Sequence, residues 1–257
     1  MENIVIINGQ KEETGHLIPD RGFQFGQGLF ETILIKEHPV FLEEHCERLG
    51  KGLKKIKIKS EVDCNYLQDC IQRYKIKNCI LKVIVTDKNI VLMTRASGYT
   101  PQEYEAGFSV KISEMKRNPY SHAVYVKSLN HLDNLIEREQ ALDQGYQEVM
   151  FFNTDNYLAE GSISNIFMVK ERRLFTPETG CGILNGIVRN WITTEFNVCQ
   201  ARFTMEDLMG AEEVFLTNSV MGIMKVSRIG DVSLPACNTT YEQVRQKYDR
   251  FVSRQDA

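Results

Sequence analysis

The chain has no long hydrophobic run. Its longest apolar stretch near the start, Ile4-Val5-Ile6-Ile7, is cut at once by Asn8-Gly9, far too short for a signal h-region or a membrane span. A cytoplasmic protein is therefore expected. An excess of positive charge is lacking too: 31 Lys plus Arg against 34 Asp plus Glu leave a formal charge of -3. Without a global cationic field to hold a polyanion, a dedicated nucleic-acid binder is excluded. The seven cysteines, at 46, 64, 70, 79, 181, 199 and 237, form no C-x-x-C pair and have no histidine ladder beside them. They read as reduced thiols, and no metal site is expected, because metal ligands need clustered spacing.

What is present is ordinary globular material. Hydrophobic residues make up 42% and charged residues 25%, which excludes disorder, collagen and coiled coil as descriptions of the whole. A length of 257 residues allows two modest domains or one large one. Asn3 to Ile7 followed by Asn8-Gly9-Gln10 predicts a strand and a tight hairpin turn, since Asn-Gly supplies positive φ angles. Strands are expected at Phe30 to Ile35, Cys79 to Thr86, Ile90 to Thr94 and Phe108 to Ile112, with helices from Phe41 through Leu49 and from Val62 to Tyr74. The lysine-rich stretch Lys51 to Lys59 reads as a solvated helix end and strand start. Residues 1–115 thus suggest an N-terminal α/β domain with an antiparallel sheet. Lys116 to Ser121 carries the proline and turn residues of a linker, so residues 116–121 are taken as the connection and 122–257 as a second domain. There a helix is expected from about Asn130 to Gln144, strands at Glu148 to Phe152, Ile166 to Val169 and Glu213 to Thr217, and a helix from about Gly186 to Phe196.

Four local features carry chemistry, and each has a bland reading as well. Asp20 to Thr32 is a glycine-punctuated loop running into a strand; glycines let backbone approach a ligand, or simply make a turn. In Val124-Tyr125-Val126-Lys127-Ser128-Leu129-Asn130 a lysine interrupts a β-like apolar stretch. Desolvation there would lower its pKa and make it a nucleophile toward a carbonyl carbon, whereas most strand-end lysines only snorkel to water. Leu158 to Phe167 leads an acid, Glu160, into a small hydroxyl-rich turn, and a carboxylate there would either hold a pyridinium nitrogen protonated or lie in solvent. Gly182 to Arg189 looks like a helix start with free N–H groups at Gly186 to Val188, a place that binds phosphate or only water.

Together and in this order these segments resemble the fold-type IV family of pyridoxal-phosphate enzymes, which holds branched-chain aminotransferases, D-amino acid aminotransferases and 4-amino-4-deoxychorismate lyases. The resemblance spans nearly the whole chain, and His45-Cys46-Glu47-Arg48-Leu49 fits the family's H-x-x-R-L. It implies a two-domain α/β (α+β) fold, with a small N-terminal domain and a larger C-terminal domain built on a β-barrel-like sheet. It also implies pyridoxal 5'-phosphate as cofactor and a homodimer with the site between the domains and near the subunit interface. By resemblance Arg48 grips the cofactor phosphate, Lys127 is the lysine bonded to the cofactor, Glu160 partners the pyridine nitrogen, and Ile187 and Val188 supply phosphate-binding amides. Ser164 and Asn165 belong to the cofactor-binding E-G-x-x-S-N turn, and Thr217-Asn218-Ser219 looks like the last phosphate turn, with Ser219 at the hydroxyl position.

Within the family the chain is most similar to the lyase. Lys127 to Asn134 is similar to its K-x-L-N-x-L-E-x run, with Asp133 at the glutamate position, and Lys116-Arg117-Asn118-Pro119 falls where it often has R-N-P. Phe30 stands where D-amino acid aminotransferases place a tyrosine, and Thr32 falls on a threonine that such lyases carry near the substrate. The implied reaction converts 4-amino-4-deoxychorismate to 4-aminobenzoate and pyruvate, with Lys127 as base and Thr32 or Lys127 assisting the leaving group. The alternatives are an aminotransferase acting on branched-chain or D-amino acids and, from another class, a binding module whose chemistry has decayed. One departure stands out: the family's glycine- and arginine-rich loop is replaced by the bare turn Thr86-Asp87-Lys88-Asn89-Ile90-Val91. That leaves Arg95, Arg117 or a partner-subunit residue as candidates for holding a substrate carboxylate.

Overall fold

In a computed structural model of the chain, residues 3–60, 62–96, 98–235 and 238–255 are described. They form two compact units: Met1–Gly98 with Val126–Asn130 and Val252–Ala257, and Tyr99–Tyr125 with His131–Phe251.

The first unit is an antiparallel sheet covered on one face by two helices. Its elements are β1 (Val5–Ile7), β2 (Gln10–Lys11), α1 (Arg21–Phe25), β3 (Gly28–Ile35), α2 (Leu42–Lys55), α3 (Cys64–Arg73), β4 (Cys79–Thr86) and β5 (Ile90–Arg95). The strand order is β2-β1-β5-β4-β3. The Asn-Gly hairpin forms as its chemistry requires, with φ of 51° at Asn8 and 80° at Gly9. Strand alternation sends Leu29, Ile33, Leu81, Val83 and Leu92 to one face, where they join Leu49, Leu53 and Leu67 from α2 and α3 in a single core. The buried residues of α2, Leu42, His45, Leu49, Gly52 and Leu53, recur at helical spacing. Gly52 lets the helix come close: a Cβ there would sit 2.5 Å from Leu29 Cδ1.

Three local expectations change here. Arg21–Phe25 is a short helix inside what reads as a loop, because Asp20 accepts a hydrogen bond from the Phe23 amide and Gly26 ends the turn in the left-handed region at φ 66°. No strand begins in Lys51 to Lys59; α2 runs to Lys55 and Ile58 drops into the core. Lys127 lies in no regular strand. His122–Tyr125 is one 3-10 turn, and the segment behind it pairs only briefly along the free edge of β3, through Phe30 N to Lys127 O (2.9 Å) and Leu29 to Ser128. Val126 is apolar because it packs against the first unit's core.

The second unit is a curled sheet. Its elements in chain order are α4 (Pro101–Ala106), β6 (Phe108–Ile112), α5 (Leu132–Asp143), β7 (Glu148–Phe152), β8 (Leu158–Gly161), β9 (Asn165–Lys170), β10 (Arg173–Pro177), α6 (Ile187–Glu195), β11 (Val198–Ala201), α7 (Met205–Met209), β12 (Glu213–Asn218), β13 (Gly222–Ile229), β14 (Val232–Ser233) and α8 (Thr239–Gln255), whose last turn belongs to the first unit. The order is β11-β10-β9-β12-β13-β6-β7-β8, with β14 on β13, and the sheet curls so that β8 returns against β9 and β10. Inside the curl pack Val110, Met150, Ile166, Met168, Leu216 and Met224. Alternate residues face outward, and there Phe167 and Phe215 stack in parallel at 5.2 Å. Both faces being buried, these strands read as nearly continuous apolar runs.

Residues 116–121 run within this unit. The Arg117 amide donates to Phe152 O and the Thr154 amide to Arg117 O, both at 2.9 Å, so the segment lies alongside β7; the compact units divide after Gly98. The turn residues that suggest a linker serve a bend at the strand edge. Six cysteines are free thiols, while Cys237 lies outside the described residues. Among the described residues no helix is long and apolar enough to cross a membrane, and no group of three His, Cys, Asp or Glu is placed to hold a metal.

The fully buried Phe167–Phe215 stack sets a test of this core. Phe167→Ala should lower unfolding free energy by about 3–5 kcal/mol, whereas Phe23→Ala, at a position 83% exposed, should change it by less than about 0.5 kcal/mol. Urea titration of both variants checks the contrast.

Candidate active site

The residues singled out from the sequence fall into two groups, one in each unit. In the first unit the organising group is a buried carboxylate. Glu31 alternates with Leu29 and Ile33 on the helix-covered face of β3 and is 1% exposed. A charge in such a place must be paired and hydrogen-bonded. Helix α2 supplies both partners one turn apart: Arg48 clamps the carboxylate with Nε to Oε1 at 2.8 Å and Nη2 to Oε2 at 2.6 Å, and His45 Nδ1 lies 2.7 Å from Oε2. Burial opposes the ionised form of Glu31, but the Arg48 charge and the hydrogen bonds from both partners outweigh it and hold the carboxyl well below the ordinary 4.5. His45 is pushed down from 6.5, chiefly by burial, against the pull of Glu31. The neutral tautomer that donates from Nδ1 to Glu31 follows, with Arg48 carrying the charge of the cluster.

Lys127 approaches the same strand from its open edge. Its Nζ lies 4.5 Å from the centre of the Phe30 ring, and because Phe30 and Thr32 share parity on β3, Thr32 belongs to the same sheet face as that ring. Arg48 and Lys127 are thus tied to adjacent residues of one strand, Glu31 and Phe30. Glu31 is given no role by the sequence motifs, and His45 enters only as the first position of the H-x-x-R-L match. The signal for Glu31 is an acid between two inward-facing apolar residues of a strand, and for His45 its place on the buried stripe of α2.

In the second unit the candidates gather at one end of the sheet. Glu160, 9% exposed, accepts a hydrogen bond from the Leu184 amide at 2.8 Å and lies 3.8 Å from Arg117 Nε. Arg117, a candidate for carboxylate recognition on sequence, is 7% exposed; it donates to Asn134 Oδ1 at 2.9 Å and lies over the Phe151 ring at 3.9 Å, while its Nε, 3.8 Å from Glu160, and its Nη2 make no hydrogen bond among the described residues. The turn after Glu160 is built on a second buried acid, Glu148, which no sequence motif marks. It accepts hydrogen bonds from the Ser162 hydroxyl, the Ser162 amide at 3.1 Å and the Ser164 hydroxyl at 2.9 Å. Ser164 is thereby used to shape the turn. Asn165 holds the next loop, donating to Leu184 O at 2.8 Å, and pairs across the sheet with Thr217 of β12.

That loop leads into α6. Its cap, Gly186, offers no side-chain acceptor, so the N–H groups of Ile187 and Val188 have neither an intrahelical acceptor nor a capping side chain. Arg189, fully buried, fixes the preceding turn by donating to Asn185 Oδ1 at 3.0 Å and to Pro177 O at 2.9 Å; burial pushes it down to about 10. Asn218 shapes the turn at Ser219, accepting from the Val220 and Met221 amides and donating to Ile163 O at 3.2 Å. The Thr217 hydroxyl beside it, 1% exposed, has no hydrogen-bond partner among the described residues. An uncapped helix start, a hydroxyl turn and an orphaned buried hydroxyl form a donor set suited to a phosphate. A carboxylate such as that of Glu160 is the kind of group that favours the protonated form of a nearby ring nitrogen. In the first unit Lys127 carries an amine, the kind of group that reacts with an aldehyde.

Comparison with known proteins agrees with this chemistry. The amino-transferase class IV family model matches residues 28–229. The chain is 27% identical over 257 residues to the aminodeoxychorismate lyase of Bacillus subtilis (strain 168), covering 90% of this chain and 88% of that protein. It is likewise 27% identical over 249 residues to the D-alanine aminotransferase of Bacillus licheniformis, covering 88% of each. Among solved structures, the 4-amino-4-deoxychorismate lyase from Pseudomonas aeruginosa superposes with a TM-score of 0.83 at 21% identity, covering 95% of this chain and 97% of that one.

The buried cluster makes stability depend on acid. Unfolding frees His45 and Glu31 to bind protons at their ordinary values of 6.5 and 4.5, both above their folded values, so the unfolded state gains protons first. Stability is full above pH 6.5, declines below it and falls more steeply below 4.5. Glu31→Gln should cost about 3–5 kcal/mol at pH 7 by leaving Arg48 without its counter-charge, and should remove the steeper decline. Denaturant unfolding of both proteins from pH 7 to pH 3 reads this out.

Proposed function

Because the chain belongs to the class IV aminotransferase family, we propose that it is a pyridoxal-phosphate-dependent lyase converting 4-amino-4-deoxychorismate to 4-aminobenzoate and pyruvate, a step that supplies folate synthesis. The observation that carries this reading is the Lys127 amine 4.5 Å from the Phe30 ring, on a sheet face that also bears Thr32. It supplies a proton carrier beside an apolar wall and a hydroxyl, with no phenol in the wall. In this reading pyridoxal phosphate, when bound, supplies an electrophilic carbon and an electron-accepting ring.

The residues would divide the work as follows from their chemistry. Arg48, the Ile187 and Val188 amides and the Ser219 hydroxyl bind the phosphate, while Ser164 and Asn165 keep the binding turns in shape. Glu160 keeps the ring nitrogen protonated. Lys127 would accept the proton from substrate C4. It then hands that proton to the departing enolpyruvyl group, and loss of that group makes the ring aromatic, which drives the step. Thr32 orients the leaving group; its hydroxyl is too weak an acid to lead. A homodimeric, cytoplasmic enzyme belongs to the same proposal.

The equal identity to a D-alanine aminotransferase supports a second reading, an aminotransferase in which Lys127 would carry the proton and a keto acid would be released. Product analysis decides. Protein saturated with pyridoxal phosphate and given 4-amino-4-deoxychorismate should release 4-aminobenzoate, and Lys127→Ala should lose at least about a thousandfold in rate. No 4-aminobenzoate from wild type that has bound the cofactor would overturn the lyase reading, and half-transamination of D- or L-amino acids would establish the other.

A further inference from the structure

Of the free thiols, Cys70, Cys79 and Cys181 are buried, whereas Cys46, Cys64 and Cys199 are half-buried. Two of the half-buried ones meet. Cys46 lies on α2 between His45 and Arg48, and Cys64 is the first residue of α3. Both pack against the first unit's core.

Helix geometry brings the two sulfurs together. In α2 the Cys46 amide is bonded to the Leu42 carbonyl one turn back, and the Cα–Cβ bond of Cys46 tilts toward that turn. The Cys64 thiol arrives at the same place from α3, donating from Sγ to Leu42 O at 3.8 Å. The start of α3 is fixed there, because the Asp63 carboxylate caps it by accepting from the Tyr66 amide at 2.8 Å. The Cys46 and Cys64 thiols are in hydrogen-bonding contact across the helix pair. Burial first, then that contact and the neighbouring acids Asp63 and Glu31, push the Cys46 thiol well up from the ordinary 9.0. Cys70, further along α3, is buried and bonds Tyr66 instead.

We propose that Cys46 and Cys64 are a reversible dithiol site that closes to a disulfide by exchange with a low-molecular-weight disulfide, clamping α2 to α3. The exchange runs in two steps. The Cys64 sulfur attacks one sulfur of the reagent R–S–S–R; that S–S bond breaks, one RS leaves as a thiol, and Cys64 carries the other as a mixed disulfide. Cys46 then attacks the Cys64 sulfur and displaces the second RS as a thiol. Two electrons pass from the protein to the reagent, and the two thiol protons go with the released RSH molecules. Cys64 leads because burial and its neighbours keep Cys46 protonated. The second step is intramolecular between groups already in contact, so closure outruns accumulation of the mixed disulfide. The clamp falls on the turn of α2 that brings His45 and Arg48 to Glu31. By closing the chain between positions 46 and 64 it lowers the entropy of the unfolded state and stabilises the oxidised form. Neither thiol has a part in the proposed lyase reaction, so this inference stands apart from that reading.

The test uses the full chain loaded with pyridoxal phosphate, reduced, freed of reductant and incubated with excess oxidised glutathione at mildly alkaline pH. Remaining thiols are alkylated and a tryptic digest is read by mass spectrometry. The peptide spanning 37–48 should appear joined to the one spanning 60–73, with fragment ions placing the bond on Cys64 and not on Cys70. Dithiothreitol should release both peptides. Cys199→Ser should give the same joined pair, whereas Cys46→Ser should retain glutathione on Cys64. Oxidised wild type should melt about 5 °C or more above the reduced protein, a shift absent from Cys64→Ser. A wild type that keeps glutathione on Cys46 or Cys64 without the joined peptides overturns the proposal. So does a wild type left unmodified by the reagent, or a joined pair bonded through Cys70. A bridge that forms without raising the melting temperature overturns the clamp.

Discussion

A carboxylate buried beneath a helix sets the terms for the first unit. Glu31 lies on the wrong face of β3 for a charged residue, 1% exposed among leucines and isoleucines, and folding is possible only if opposite charge is delivered to it. The H-x-x-R spacing of α2 does this by geometry: residues three apart on a helix share a face, so His45 and Arg48 arrive together at the two carboxylate oxygens. The cluster in turn fixes the register of α2 over β3 and holds the Arg48 guanidinium in one orientation. On the same strand, one residue back, Phe30 faces the other way and meets Lys127. Alternation along a single strand thus sends Arg48 and Lys127 to neighbouring residues that face opposite ways.

The second unit solves a similar problem with a different acid. Glu148 shapes the Ser162–Ser164 turn from within, and Asn165 and Glu160 then fasten the loop that leads into α6. Hydroxyl and amide side chains that read as ligand-binding groups are partly spent on shaping one another. What they leave open, the first amides of α6 and the turn at Ser219, is backbone-rich and suited to an anion. Function here depends on which donors remain after the fold has taken its own.

Much of the fold and of the site is legible in the sequence. The Asn-Gly hairpin, the strands β3 to β7, the helices α2, α3, α5 and α6 and the uncapped start at Gly186 follow from local patterns whose physics is short-range: positive φ at Asn-Gly, alternation along strands, apolar spacing along helices. The differences fall where local pattern and tertiary role part company. Val126 is apolar because it packs against a core, and with its apolar neighbours it resembles a strand. Lys116 to Ser121 has the residues of a linker because it bends beside β7. The late elements, β13 and α8 above all, are not among those expected from local pattern.

The sequence by itself determined the kinds of group available: a lysine in an apolar setting, an acid before a small turn, a helix start without a cap, and the order that marks the class IV family. These are properties of neighbours in the chain, fixed by propensity and spacing. The tertiary structure decided how they are used. It made Glu31 and Glu148, acids that no motif marks, into buried anchors and set Arg117 beside Glu160. It also brought the thiols of Cys46 and Cys64 together between α2 and α3. Burial, strand register and the pairing of charges are long-range facts, and the energy of a charge depends on what surrounds it in space.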